Sequence, residues 1–277
     1  MAEKINISVL FTTFNEAHNI EAALKSVIDW ADEIIVVDSF STDGTVDILK
    51  KYNVTIFQRK YIGPSDQKNW GIPKAKNEWI LLMDADERAT PEMRSEITNI
   101  MSVRTPLSQT PLEERGANFD CYWVGFQHYF MGKRVNYSGW QNDKTIRLIR
   151  RDVCRYNDNR VHEEIRRSEG MTVGFLTSKF EHYTFKDMSH FVAKQERYAT
   201  WSALDHEKKT GRVTYFHLVV KPLFRFFKHF VLKRGFLDGH IGLIIASVAA
   251  WSVFLRYVKI VENRRSAQQN TEGSSFE

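Results

Sequence analysis

Trp79-Ile80-Leu81-Leu82-Met83-Asp84-Ala85-Asp86-Glu87 decides the fold class of this chain. Five apolar residues in a row read as a strand buried on both faces, and acids begin where the strand ends. Such a strand belongs to a parallel sheet, and open α/β sheets bind ligands beyond the carboxyl ends of their strands. Two aspartates one residue apart at that edge can share a hard divalent cation with a diphosphate. An isolated Asp-x-Asp is more often a surface turn whose first acid caps a helix, so the surroundings must carry the reading.

Toward the N-terminus, Ile5 to Thr13 is β-rich and leads through Phe14-Asn15-Glu16 into Ile20, Leu24, Val27 and Ile28 at helical spacing. Asn15 is the expected N-cap. Glu33 to Asp38 is a second buried strand ending in an acid, and Ser39 to Thr45 is a polar loop before a short helix. Val54 to Phe57 is a third strand, and Pro73 should end or bend the helix around Gln67-Lys68-Asn69. On the other side, Thr90 and Pro91 supply an N-cap and first-turn proline for a helix to about Met101. Glu87 reads as a helix-start residue with no chemical duty.

Strands alternating with helices predict an α/β fold with a mostly parallel, Rossmann-like sheet and right-handed crossovers. Phe119 to Val135 and Lys144 to Arg150 predict an antiparallel extension, with Tyr137 to Trp140 in a loop between them. Arg160 to Ile165 follows a polar turn, and Phe180 to Phe185 closes this part. Residues 1–185 should form one catalytic domain, with a nucleotide half over about 1–103 and an acceptor half over about 119–185.

From Lys186 the texture is helical. Residues 186–262 read as amphipathic helices for membrane association or oligomerisation, and 263–277 as a flexible tail. Formal net charge is +5, and no acid interrupts the cations from Lys208 to Arg234. Bulky apolar residues interleave with those cations, which suits an anionic membrane surface better than nucleic acid. The same stripe would also serve packing on the catalytic domain or on a second copy of the chain. Ile241 to Leu255 reads as too short to cross a bilayer, so a monotopic association is expected. Cys121 and Cys154 lack metal-type spacing and read as free thiols. Met-Ala-Glu-Lys runs into a strand without a signal-like apolar stretch, which predicts a cytoplasmic protein peripheral to the inner face of the cytoplasmic membrane.

Three motifs occur in order: Thr13-x-Asn15-Glu16, then Val36-Val37-Asp38-x-x-Ser41-Thr42-Asp43-Gly44-Thr45, then Met83-Asp84-Ala85-Asp86-Glu87. Together they resemble the inverting family 2 glycosyltransferases of the GT-A fold. Gln67-Lys68-Asn69, Gly139-Trp140, Arg147-Leu148-x-Arg150-Arg151 and Val161-His162-Glu163 are most similar to the lipopolysaccharide-core β-glucosyltransferase subgroup. The likeness covers about residues 5 to 185.

The resemblance implies a metal-dependent hexosyltransferase that uses a UDP-sugar, with UDP-glucose foremost, and a membrane glycolipid acceptor. Transfer to a polyprenyl phosphate is the runner-up. A nucleotidyltransferase is the rival from another class, although Thr12 to Glu16 is not its Gly-rich, basic phosphate loop.

The donor nucleotide would be held by Thr13, Asn15, Glu16, Asp38, Lys68 and Asp84. Asp86 would ligate Mg²⁺ or Mn²⁺. Glu16 has a second reading as a first-turn acid, and Lys68 as a solvated helix lysine. Family members often carry an acidic pair after the antiparallel strands, where this chain has His162-Glu163-Glu164. Glu163 is the expected base and His162 its neighbour in orienting or metal contact. In an extended segment Glu163 shares a face with Val161 and Ile165, where an acid needs a reason to be. Trp140 reads as a sugar platform or a packed core residue. Arg147 and Arg150 read as phosphate contacts or as surface ion pairs with Asp143 and Asp152.

Overall fold

The computed structural model describes residues 4–102, 119–157, 164–166 and 170–273, the last six as helix backbone only. The chain divides into two compact units, one of residues 1–127 and 142–182 and the other of residues 128–141 and 183–277.

The described residues contain a nine-stranded sheet. Its parallel part comprises β1 (Ile5–Thr13), β2 (Ala31–Asp38), β3 (Thr55–Gln58) and β4 (Trp79–Asp84), in the order β3-β2-β1-β4. Successive residues of the central strands feed opposite layers. Ile7, Val9, Phe11, Leu81 and Met83 join one apolar cluster, while Leu10, Ile80 and Leu82 join the other. Two-sided burial is why these strands read as continuous apolar runs.

Helices α1 (Ile20–Lys25) and α4 (Pro91–Ser102) supply the first layer, and α3 (Pro64–Gly71) lies over β1 and β2 in the second. That last approach is close: a Cβ on Gly71 would come within 2.9 Å of the Leu10 side chain. Helix α2 (Thr45–Leu49) connects β2 to β3.

The antiparallel extension continues the sheet through β8 (Lys144–Arg150), β6 (Cys121–Phe130), β9 (Val173–His182) and β5 (Glu87–Arg88). The expected α/β sheet with an antiparallel extension is therefore present, although Glu87 belongs to a strand rather than a helix start. Asn15 also differs from expectation. Helix α1 begins after Asn19, and Asn15 sits in the left-handed region at φ 56°.

In the second unit β7 (Lys133–Val135) pairs with the end of β6, and helices follow. Helix α5 (Met188–Glu207) and α6 (Lys221–Phe227) both pack on α7 (His240–Gly273). Single π turns at Phe216–Val220 and Lys228–Leu232 extend α6 at both ends. Helix α7 carries on past Glu262, where the sequence suggested a tail. Its His240–Ala267 stretch is long and apolar enough to cross a membrane by length and composition, contrary to the short span expected. Ile241, Ile245, Ala246, Val253, Tyr257 and Ile260 of that stretch are nevertheless buried.

Candidate active site

Strand register assembles the site. Thr13 lies opposite Asp38 and Thr12 opposite Asp84, so three motifs distant in sequence end side by side at the carboxyl edge of β2, β1 and β4. The order β3-β2-β1-β4 places the reversal of strand order at β1, where α/β sheets open a crevice.

Asp38 is fully buried and accepts hydrogen bonds from the Thr13 hydroxyl at 2.9 Å, the Ser41 amide at 2.9 Å and the Gln58 amide at 3.1 Å. The Ser41 hydroxyl adds a fourth donor. The carboxylate thus fixes the start of the polar loop after β2. That loop is laced to the one after β1: Asn15 Oδ1 accepts from the Thr42 amide at 2.8 Å, and the Glu16 amide donates to the Thr45 hydroxyl at 2.8 Å. Asp43 accepts from the Ala17 amide at 3.0 Å. The Thr-x-Asn-Glu and Ser-Thr-Asp-Gly-Thr motifs therefore have a local structural reason: each satisfies the other's backbone groups.

At the end of β4 the acids are not equivalent. Asp84 is 37% exposed at its side chain, pairs with Arg147 and lies 3.7 Å from Lys68 Nζ. Burial alone would raise its pKa, but Arg147 and Lys68 outweigh that and hold it well below the usual carboxylate range. Glu87 is fully buried, accepts from the Asp84 amide at 3.0 Å and pairs with Arg147. Its burial pushes the pKa up to about 7 against the pull of Arg147. Glu16 is also raised to about 7, chiefly by burial, with Asp86 and Asp84 adding repulsion and the Asn19 amide opposing it.

Register on the far side of the site brings in a histidine. Glu87 of β5 pairs directly with His182 of β9, and His182 Nε2 lies 3.3 Å from Asp86. The possible ligand atoms of Asp86, Glu87 and His182 all fall within 4.8 Å of one another. Two carboxylates and an imidazole suit a divalent cation such as Mn²⁺ or Mg²⁺. Burial disfavours the charged imidazolium, but the Asp86 hydrogen bond and the surrounding acids raise the His182 pKa overall.

Lys68 is buried, with its ammonium over the Tyr156 ring, so it is not the solvated helix lysine that its flanks suggested. Its neighbours in the motif hold the fold: Gln67 donates to the Ser39 hydroxyl, and Asn69 exchanges two hydrogen bonds with the Tyr156 backbone. Arg147 is not a surface ion pair with Asp143; it is buried between Asp84 and Glu87.

Arg150 is not brought to these acids. It pairs with Glu78 and lies 4.5 Å from the Trp79 ring, at the start of β4 and about 17 Å along the strand from Asp84. Glu163 and His162 lie outside the described residues. In the flanking segment Ile165 is buried and Glu164 exposed, the alternation on which the reading of Glu163 rests.

Trp140 belongs to the second unit, where its ring packs among Phe130, Phe185, Phe191 and His128. The loop leading to it is clamped. Asp238 accepts from the Asn136 amide at 2.9 Å, the Tyr137 amide at 3.0 Å and the Ser138 hydroxyl at 2.7 Å. His229 Nδ1 donates to the Ser138 carbonyl at 2.8 Å.

The profile described as "Glycosyl transferase family 2" matches residues 8–195, well over half of the chain. The chain is a family 2 glycosyltransferase. An uncharacterized glycosyltransferase of Rickettsia felis is 26% identical over 264 residues, covering 93% of this chain and 90% of that protein. The lipopolysaccharide core biosynthesis glycosyltransferase LpsC of Rhizobium meliloti is 24% identical, covering 95% and 94% respectively. Among solved structures, S. aureus TarS residues 1–349 covers 95% of this chain, and this chain 92% of it, at 16% identity and a TM-score of 0.46.

The family match sets aside the nucleotidyltransferase alternative. Two residues of this glycosyltransferase escaped the sequence reading. The flanks of Glu87 read as a helix start, and those of His182 as no more than a strand end. The signal for His182 was alternation, since Leu176 and Phe180 of β9 are buried and His182 shares their parity.

Proposed function

We propose that this family 2 enzyme transfers a hexose with inversion from a nucleotide sugar, UDP-glucose foremost, to a membrane glycolipid of the lipopolysaccharide-core type. The observation that carries the donor half is the convergence of Asp84, Asp86, Glu87 and His182 at the carboxyl edge of the sheet. The acceptor class is supported by the name and full-length similarity of LpsC. Such an acceptor places the enzyme in the cytoplasm, at the inner face of the cytoplasmic membrane.

Asp86 and His182 would hold Mn²⁺ or Mg²⁺, with Glu87 closing the set. A cation held there would neutralise charge on the departing nucleoside diphosphate. Lys68, buried beside Asp84, adds a fixed positive charge on the same side. Asp38 serves the nucleoside mainly through the loop it holds, because direct base contact requires one of its present donors to yield. The acceptor hydroxyl attacks C1 of the sugar through an oxocarbenium-like state, and Glu163, with His162 beside it, takes its proton. Thr13, Asn15 and Glu16 frame the nucleoside side.

A screen of nucleotide sugars by thermal stabilisation in Mn²⁺ tests this reading. UDP-sugars should raise the melting temperature and other nucleotide classes should not. Equal stabilisation by all classes, or by none, would count against it.

The site also sets a pH dependence. Glu16, Glu87 and His182 all bind protons more tightly folded than unfolded, so each stabilises the metal-free fold at low pH. The two carboxyls lose their contribution as pH rises through about 7, and His182 loses its own as pH rises through its raised pKa. A cation at Asp86 prefers the deprotonated groups. The Mn²⁺-induced rise in melting temperature should therefore grow between roughly pH 5.5 and 7.5. Parallel melts in EDTA and Mn²⁺ measure it, and a pH-independent shift would contradict the assignment.

A further inference from the structure

We infer that the second unit docks on an anionic bilayer through one face of the helix from Phe216 to Leu232 and the turn that follows, lying along the surface without crossing it. This deepens the membrane-acceptor reading and rests on it only for its purpose, since binding is measurable without turnover.

The face is unusual for a helix packed in a folded protein. Phe216, Val220, Leu223, Phe224, Phe227 and Val231 fall on one helical face, at i, i+4, i+7, i+8, i+11 and i+15, and are all exposed. Leu223 is 64% exposed and Phe224 59%, with Tyr215 at 85% beside them. Phe236 and Leu237 continue the apolar surface into the next turn. Aromatic and aliphatic side chains left in water along roughly 25 Å of helix call for an apolar neighbour.

Charge identifies that neighbour. Lys208, Lys209, Arg212, Lys228 and Arg234 are exposed, and no acid occurs from Lys208 to Arg234. A second copy of the same surface would bring like charges together, whereas an anionic lipid surface complements them. Cations with long stems can rest among headgroups while the aromatic rings enter the acyl boundary.

Helix α7 is long and apolar enough to span a membrane, but its packing on α5 and α6 argues against a crossing. It lies along α5, which carries Lys194, Arg197 and Asp205, and Lys259 of α7 pairs with Glu196 of α5 at 3.6 Å. Lys221 donates to Tyr257 at 2.8 Å. A spanning α7 would drag these groups into hydrocarbon or abandon its partners. Docking through the α6 face keeps them all. His229 on that helix also holds the loop before Trp140, so the bilayer contact and the acceptor-side loop share one rigid support.

The test is flotation of the full chain with vesicles of phosphatidylcholine alone or mixed with phosphatidylglycerol. Binding should be at least tenfold stronger to the mixed vesicles and should weaken in high salt. Leu223→Asp with Phe224→Asp should remove it, with circular dichroism unchanged because both side chains are exposed. Lys228→Glu with Arg234→Glu should abolish the anionic preference.

Both native cysteines are buried, so Phe224→Cys carrying an environment-sensitive fluorophore gives a single reporter. Its emission should shift to the blue on mixed vesicles. Retained binding in both double variants, an unshifted reporter, or protein that resists alkaline carbonate extraction from membranes would overturn the inference. So would a stable dimer lost in Leu223→Asp with Phe224→Asp, in a chain that does not float.

Discussion

Arg147→Met is expected to cost about 3–5 kcal/mol of stability, the penalty for stripping a buried charge of its partner. The guanidinium stands between Asp84 and Glu87, and the two acids do not contribute equally. Asp84 is 37% exposed and partly screened by water, while Glu87 is fully buried and carries most of the cost. The melting temperature should fall by roughly 10 °C at neutral pH.

Glu87 already has a raised pKa, and loss of Arg147 raises it further. The variant should therefore recover part of its stability near pH 5, where Glu87 is protonated in the folded chain. Arg147→Lys should recover less than the full loss, because the more strongly hydrated ammonium costs more to bury where one guanidinium nitrogen now meets both acids. Thermal melts at two pH values check all three statements. An unchanged melting temperature in Arg147→Met would mean that the paired acids do not depend on it.

Asp86→Ala should lower turnover by roughly 10²- to 10³-fold, the scale seen when one electrostatic stabiliser of a developing negative charge is removed. Stability should change little, because Asp86 is only partly buried and the relief of repulsion on Glu16 and Glu87 offsets the loss of its contact with His182. The Mn²⁺-induced thermal shift should vanish with it. Initial rates of nucleoside diphosphate release, paired with melts in Mn²⁺ and EDTA, separate the two effects. Full turnover in saturating metal would remove Asp86 from the site.

The parallel half of the fold was legible because burial on both faces leaves uninterrupted apolar runs, as in Ile34 to Val37 and Ile80 to Met83. The position of Asp38, Asp84 and Asp86 at strand ends was legible for the same reason, since each follows such a run. What escaped depended on pairing between segments far apart in sequence. Glu87 looked like a helix-start acid because Thr90 and Pro91 follow it, yet its strand partner is His182, about a hundred residues further on.

Lys68 and Arg147 have unremarkable flanks, and only the register of β4 with β8 and the seat of α3 reveal their burial against Asp84. Asn15 misled because a cap residue and a left-handed loop residue share the same chemistry. Helix α7 was cut short in the sequence reading because its polar C-terminal part carries no periodic apolar stripe.

On this proposal the carboxyl end of β4, with β5 and β9, joins a divalent cation to a nucleoside diphosphate. Calorimetric titration of UDP-glucose into the full chain, in Mn²⁺ and then in EDTA, with Asp86→Ala alongside, tests it most directly. The expected result is binding to the unaltered chain in Mn²⁺ that falls at least tenfold in EDTA and in Asp86→Ala. Equal affinity under all three conditions would contradict it.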